Sequence, residues 1–100
     1  MYTITETEQY ATWFEKLRDR QAKARILARL RRIEIGNFGD HKSLGNGISE
    51  LRLTYGPGYR IYYTLRGEEL VILLAGGDKS SQERDIQRAI ELADELGDME

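Results

Sequence analysis

The stretch from Glu50 to Arg88, ELRLTYGPGYRIYYTLRGEELVILLAGGDKSSQERDIQR, predicts three strands followed by a helix. Apolar and polar residues alternate on both sides of the Gly56-Pro57-Gly58 turn, as they do in strands that bury one face. Proline fixes its own backbone and glycine accepts positive φ, so this turn predicts a hairpin in which Tyr55 pairs with Tyr59. The sequence therefore favours an antiparallel sheet in the C-terminal half.

The rest of this stretch predicts a central strand and a final helix. Residues 70–75 are apolar on both faces, which is typical of a strand in the middle of a sheet. Ser80 and Glu83 have the spacing of a capping box, which predicts the start of the last helix near Ser80. Gly97 is the expected helix stop.

The N-terminal half predicts a short strand and two helices. After a β-prone start at residues 2–5, Thr5 and Glu8 have the spacing of a capping box for the first helix. A second helix is predicted from Asp19 to Ile35, and residues 36–49 are interpreted as a surface loop because they are rich in glycine and asparagine.

Together these elements predict one α+β domain over residues 1–100, in the order β-α-α-β-β-β-α. Two N-terminal helices and the C-terminal helix are expected to pack on one face of a small antiparallel sheet. The other face, which carries Arg52, Arg60 and Tyr62, is expected to be open.

Composition restricts the classes of function. The chain has no cysteine, one histidine and no apolar run near the ~20 residues of a membrane span, so no residue is assigned to a metal or to a membrane contact. The N-terminus lacks the pattern of a secretory signal, and a cytoplasmic location is expected. The net charge of −2 hides an uneven distribution, because residues 16–32 carry eight cations and one acid while the last ten residues carry five acids and no cation. A local basic surface is what binding to a phosphate chain requires.

Three cations are predicted to converge on an anion. In the expected hairpin, Arg52 lies opposite Tyr62 and diagonal to Arg60 on one sheet face. Lys79 lies just before the last helix, whose free N–H groups attract anions. This pattern favours a phosphate site. The alternative is that the cations are ordinary surface charges that pair with Glu50 or with the acids at 68 and 69.

Three segments resemble the HigB-like branch of the RelE/ParE toxin superfamily, whose members are called addiction module killer proteins. They are residues 50–52 (ELR), residues 56–63 (GPGYRIYY) and residues 76–79 (GGDK) followed by Gln82, Asp85 and Ile86, and the resemblance covers nearly the whole chain. It implies a microbial-RNase-like fold and ribosome-dependent cleavage of mRNA, without a metal or a cofactor.

The resemblance also implies an active site. It places basic catalytic residues at Arg52, Arg60 and Lys79, while Glu50 and Asp85 stand where RelE toxins carry a lysine and a tyrosine. Because arginine stays protonated, Lys79, Glu50 and Asp85 are the candidates for proton transfer. His41, the one histidine of the sequence, is a further candidate in the predicted loop. The predicted RNA-binding residues are Arg25, Arg29, Arg32, Tyr62 and Gln82.

Partners and alternatives follow from the same resemblance. It implies a helix-turn-helix antitoxin, contact with the ribosome and mRNA, and operator DNA binding only through the antitoxin complex. Two alternatives share the fold, namely a ParE-like inhibitor of DNA gyrase and an inactive toxin-derived module that binds nucleic acid or antitoxin.

Overall fold

The computed structural model describes residues 1–97, so the acidic residues Asp98 and Glu100 of the C-terminal tail lie outside it. It has five strands and three helices, in agreement with the predicted α+β class. Their bounds are β1 Thr3–Glu6, α1 Glu8–Lys16, α2 Arg20–Glu34, β2 His41–Gly45, β3 Ile48–Arg52, β4 Arg60–Arg66, β5 Leu70–Gly77 and α3 Gln82–Leu96, with a short 3₁₀ turn at Lys79–Ser81 before α3.

The five strands form one mixed sheet in the order β1-β5-β4-β3-β2. The predicted antiparallel pairing holds among β3, β4 and β5, whereas β1 runs parallel to β5 at the edge. The expected loop at residues 36–49 also contains β2, which pairs antiparallel with β3. Asn46 and Gly47 join these strands with φ of 55° and 74°, and an Asn-Gly pair is a strong hairpin signal.

Helices cover both faces of the sheet. α1 and α2 pack on one face around Tyr10, Ile26 and Ile61, whereas α3 packs on the other around Tyr62 and Ala89. The expectation that all helices share one face and leave the other open was therefore wrong. The second face is apolar enough to bury the stripe of α3, and this places the start of α3 over the charged strand ends.

Two of the predicted helix caps were wrong. Thr5 pairs with Ile72 in the sheet, so Thr7 caps α1 instead by accepting from the Tyr10 N–H at 3.1 Å. α2 starts as predicted, with Asp19 as its cap. Before α3, Asp78 rather than Ser80 caps the 3₁₀ turn. α3 ends before Gly97, as predicted.

Within residues 1–97, none of the helices combines the length and the apolar character needed to traverse a lipid bilayer.

Candidate functional site

Arg52 and Arg60 lie directly opposite each other where β3 and β4 meet the connecting loop. The predicted register, with Arg52 opposite Tyr62, was wrong by two residues. Regular pairing ends at this arginine pair, and a bond from Leu53 N to Tyr59 O closes a wider loop. Tyr55 does not pair with Tyr59, because the Tyr55 carbonyl instead accepts from the Gly58 N–H at 3.1 Å.

Arg60 and Lys79 converge beside this loop. Together with residues 53–58 they line a cleft of about 240 Å³. The stem of Lys79 packs on Gly58 so closely that a Cβ there would lie 2.8 Å from Lys79 Cδ and 3.5 Å from an Arg60 terminal nitrogen. The structure thus brings these two predicted site residues together, although 19 positions separate them in the chain.

The guanidinium of Arg60 is held by backbone carbonyls. The Arg60 residue is only 8% exposed, and its Nη1 donates to Gly58 O and Tyr59 O at 3.1 Å each. Within residues 1–97, neither Arg60 nor Lys79 forms an ion pair with a carboxylate. Two neighbouring cations without a counter-charge create a positive potential in the cleft, which suits an anion such as a phosphate.

The side chain of Arg52 is engaged elsewhere. Its Nε and Nη2 donate to Asp40 Oδ1 at 3.1 and 2.9 Å, and its Nε lies 4.0 Å from Glu50 Oε2. Arg52 is not among the residues that line the Arg60–Lys79 cleft. The structure therefore brings its backbone to the site and its guanidinium to Asp40, a partner that the sequence did not suggest.

Glu50 and Asp85 are buried on the face that α3 covers. Glu50 is 4% exposed, and its Oε1 has no protein hydrogen-bond partner. Asp85 is 9% exposed and accepts from Ser81 Oγ at 2.5 Å. Asp85 also packs against Gly77, where a Cβ would lie 1.8 Å from its Oδ2. Ser81 was not predicted as a site residue, and its spacing of four from Asp85 at a helix start is the signal that would have found it.

Tyr62 is fully buried beside Glu50, which lies opposite it in the sheet. Burial raises the pKa of its phenol well above the ordinary range, and the neighbouring charge of Glu50 adds to this. A side chain without exposed surface cannot stack on RNA, so the prediction that Tyr62 binds RNA is wrong for this structure. The reason is that α3 covers the face that was expected to be open.

The arginines of α2 lie beside a second cleft. This cleft has a volume of about 260 Å³ and is lined by Arg25, Arg29 and Arg32 of α2 and by residues 53–55 of the loop. Residues 53–55 also line the first cleft, so the loop separates two adjoining basic depressions. Such an arrangement can follow a phosphate chain.

These arginines have different surroundings. Arg29 donates to the carbonyls of Phe38, Asp40 and Arg52 at 2.8–3.0 Å. Burial lowers its pKa, the charge of Arg32 lowers it further, and Asp40 partly opposes both. Arg25 and Arg32 are exposed. Arg29 thus has a clear structural role, and the other two are free to meet solvent.

Two other predicted residues lie at the margins. Gln82 is the first residue of α3 and lines a separate open depression of about 620 Å³ together with Lys79 and Arg84. His41 begins β2 rather than lying in a loop, is exposed, and places Nδ1 2.8 Å from Gly39 O. Neither residue lines the Arg60–Lys79 cleft.

The fold indicates a class of protein. A five-stranded mixed sheet with three helices, including one at the C-terminus, is consistent with a RelE-like fold. The chain belongs to the family described as Phage derived protein Gp49-like (DUF891), whose model matches residues 12–97. This is a toxin-like family related to RelE and HigB.

The chain is also similar to a protein from Haemophilus influenzae. It is described as an uncharacterized protein and is 51% identical to this chain over 94 residues. The match covers 94% of this chain and 95% of the relative, so the two proteins correspond over nearly their whole lengths.

Proposed function

We propose that this protein is the toxin of a type II toxin–antitoxin pair and stops translation by cutting mRNA on the ribosome. The observation that carries the proposal is the pairing of Arg60, a nearly buried cation without a carboxylate partner among residues 1–97, with Lys79 beside an open cleft. A phosphate between them would supply the missing counter-charge. The RelE-like fold and the toxin-like family support RNA as the source of this phosphate.

The chemistry proposed is attack by a ribose 2′-oxygen on the adjacent phosphorus. The new O2′–P bond forms as the P–O5′ bond breaks, the 2′-hydroxyl loses its proton, and the leaving 5′-oxygen gains one. Negative charge grows on the phosphate oxygens in the transition state, and fixed cations stabilise it there more than in the ground state. Arg60, preorganised by two carbonyls, has this role, and Lys79 assists it.

Few titratable side chains lie where they could transfer a proton to or from the RNA. Lys79 is exposed beside the cleft, whereas Glu50 and Asp85 lie beneath α3. Arg52 can join the site when its guanidinium leaves Asp40, which is itself exposed. A site with so few accessible acids and bases gains from a ribosome that aligns the RNA, because positioning alone can lower a barrier by several kcal/mol.

The test is a cleavage assay with programmed ribosomes and end-labelled mRNA, together with an RNA-only control. Arg60→Ala removes the buried cation, and Lys79→Met removes the second charge while keeping a stem that can pack on Gly58. We expect cleavage by the wild type only when ribosomes are present, and a loss of about 100-fold or more in each variant.

The control is Arg31→Ala, which removes an exposed arginine of α2 that lines neither cleft. It should cut like the wild type. Because Arg60 is buried, its variant is interpreted only if thermal unfolding shows that it folds, and Lys79→Met gives a surface variant that avoids this difficulty. Full cleavage by Lys79→Met and by folded Arg60→Ala would overturn the proposal.

An antitoxin completes the proposal. We expect a small helix-turn-helix protein that inhibits the toxin by placing acidic side chains over the basic clefts, and that carries the operator-binding surface of the complex. The toxin itself would act in the bacterial cytoplasm, where its ribosomal target lies. Co-expression of the antitoxin should restore growth and should allow the two proteins to be purified together.

A further inference from the structure

An arginine and a tyrosine meet at the boundary between the two basic clefts. Tyr55 lines both clefts, and Arg25 lines the one beside α2. The Arg25 Cζ lies over the Tyr55 ring, 4.3 Å from its centroid. This is a cation–π contact, in which a guanidinium is attracted to the negative face of an aromatic ring.

The ring of Tyr55 is fixed from its far end. Its hydroxyl lies 3.2 Å from Asp19 Oδ2 and 3.2 Å from Gln21 Oε1, and it donates to one of them. Asp19 is itself rigid because it caps α2, accepting from the N–H groups of Gln21 and Ala22 at 2.9 and 3.1 Å. Tyr55 is therefore tied to the start of the helix that carries Arg25.

Arg25 has one side on the ring and is otherwise exposed. No carboxylate of residues 1–97 forms an ion pair with it. Its contact with the ring restricts the orientation of a planar group whose outer face meets solvent. Unpaired nucleobases stack on aromatic rings and on arginine guanidinium planes in this way.

We propose that the Arg25–Tyr55 pair is a binding site for one unpaired nucleobase of an RNA strand that crosses both clefts. The inference rests on the proposed function, since it assumes an RNA substrate. Phosphates bound at Arg60 and Lys79 require only positive charge, whereas an ordered aromatic ring beneath an exposed guanidinium provides a surface for a base. The site would hold a neighbour of the nucleotide that is cut and would contribute to the choice of sequence.

Binding to RNA that cannot be cut tests this site separately from catalysis. The probes are a short fluorescein-labelled 2′-O-methyl RNA and a strand of equal length and charge that lacks bases, both at low salt, with the dissociation constant measured by fluorescence anisotropy. Arg25→Lys keeps the charge and removes the planar fork. We expect it to weaken binding of the base-bearing strand about tenfold and to leave binding of the abasic strand unchanged.

Matched variants sharpen the test. Arg31→Lys makes the same substitution on an exposed part of α2 outside both clefts and should change neither affinity. Tyr55→Leu removes the aromatic ring beneath Arg25 and should repeat the base-dependent loss, whereas Tyr55→Phe keeps the ring and should largely preserve binding. Equal effects on the two strands, or no effect of Arg25→Lys, would overturn the proposal, as would a failure of the base-bearing RNA to bind.

The two proposals fail in different ways. Base-dependent binding that requires Arg25, in a protein that never cuts mRNA on ribosomes, would retain the nucleobase site and reject the nuclease. Ribosomal cleavage by the wild type, with Arg25→Lys binding both the base-bearing and the abasic strand as tightly as the wild type does, would retain the nuclease and reject the nucleobase site.

Discussion

Gly58 and Gly77 control how closely charged side chains approach the backbone at the site. Gly58 has a φ of 79°, a backbone conformation that residues other than glycine rarely adopt. The stem of Lys79 occupies the space where a Cβ would lie. Gly77 makes room for the carboxylate of Asp85 in the same way. These glycines allow Lys79 and Asp85 to reach their observed positions.

Gly77→Ala should destabilise the fold through Asp85. The new methyl group would lie 1.8 Å from Asp85 Oδ2 and 2.8 Å from Ser81 Oγ, so the start of α3 must shift. We expect a loss of about 1–3 kcal/mol in the free energy of unfolding, measured with urea. In an Asp85→Ala background, where the obstructing carboxylate is absent, the same change should cost clearly less. Equal costs in both backgrounds would show that Asp85 is not the obstacle.

Tyr62 gives the fold a sensitivity to alkaline pH. Its phenol is buried, so its pKa in the folded state lies above the value of about 10 in the unfolded chain. Above pH ~10 the unfolded state loses this proton first. The contribution of this phenol to the free energy of unfolding is thus fully present below that pH. Above it, the free energy of unfolding falls by up to about 1.4 kcal/mol per pH unit for each such group. Tyr10 is raised in the same direction, mainly by burial.

Tyr62→Phe should reduce this alkaline loss. At pH 7 the substitution should be neutral or slightly stabilising, because the Tyr62 hydroxyl has no protein hydrogen-bond partner. Urea unfolding from pH 7 to 11 measures both effects. Tyr10→Phe, at a second buried tyrosine whose pKa is raised, should reduce the alkaline loss similarly. An unchanged pH profile in both variants would contradict the assignment.

At the scale of elements, Arg29 joins α2 to the sheet beside the site. Its three hydrogen bonds reach the carbonyls of Phe38 and Asp40, just before β2, and of Arg52, at the end of β3. Asp40 in turn binds the Arg52 side chain. Arg29 therefore fixes the segment that determines where the guanidinium of Arg52 points.

Arg29→Met should lower the free energy of unfolding by about 3 kcal/mol. It keeps an unbranched stem but leaves carbonyls without their charged donor, and hydrogen bonds to charged groups are worth more than neutral ones. Arg31→Met, on the exposed part of the same helix, should change stability by no more than about 0.5 kcal/mol. Urea denaturation compares the two, and similar small effects would show that the Arg29 contacts contribute little.

Periodicity predicted the elements better than their arrangement. The bounds of α2 and the interior position of β5 follow from local signals, namely a capping aspartate and a run that is apolar on both faces. The β3–β4 register could not be predicted in the same way, because the two strands are joined by a wider loop than the Gly-Pro-Gly turn suggested, closed by the bond from Leu53 N to Tyr59 O. In this loop the Tyr55 hydroxyl contacts Asp19, the cap of α2, which is distant in the chain. The covering of Tyr62 by α3 is likewise a contact between distant segments. At the site, the sequence predicted Arg60 and Lys79 as neighbours but gave no sign of the Asp40–Arg52 pair.

At the scale of the whole molecule, charge is separated although the net value is −2. The arginines of α2 border one cleft, and Arg60 and Lys79 border the adjoining one. In contrast, α3 carries acids toward its C-terminal end, including Glu91 and Glu95, which pair with Arg88. Local potential rather than net charge determines where a polyanion approaches. The described part of the molecule therefore presents one basic side despite the acidic total of the chain.

Expression in a growing bacterium distinguishes a toxin that cleaves mRNA from the alternative of a ParE-like protein that inhibits DNA gyrase. If the basic side acts on ribosome-bound mRNA, incorporation of labelled amino acids should fall before incorporation of labelled thymidine, and Lys79→Met should abolish both effects. Lys42→Met, at an exposed lysine of β2 outside both clefts, should remain toxic. Because gyrase inhibition stops DNA replication first, an early fall in thymidine incorporation, unaffected by Lys79→Met, would show that the clefts serve another target. Loss of protein synthesis that depends on Lys79 would instead link the charge of this cleft to translation in the cell.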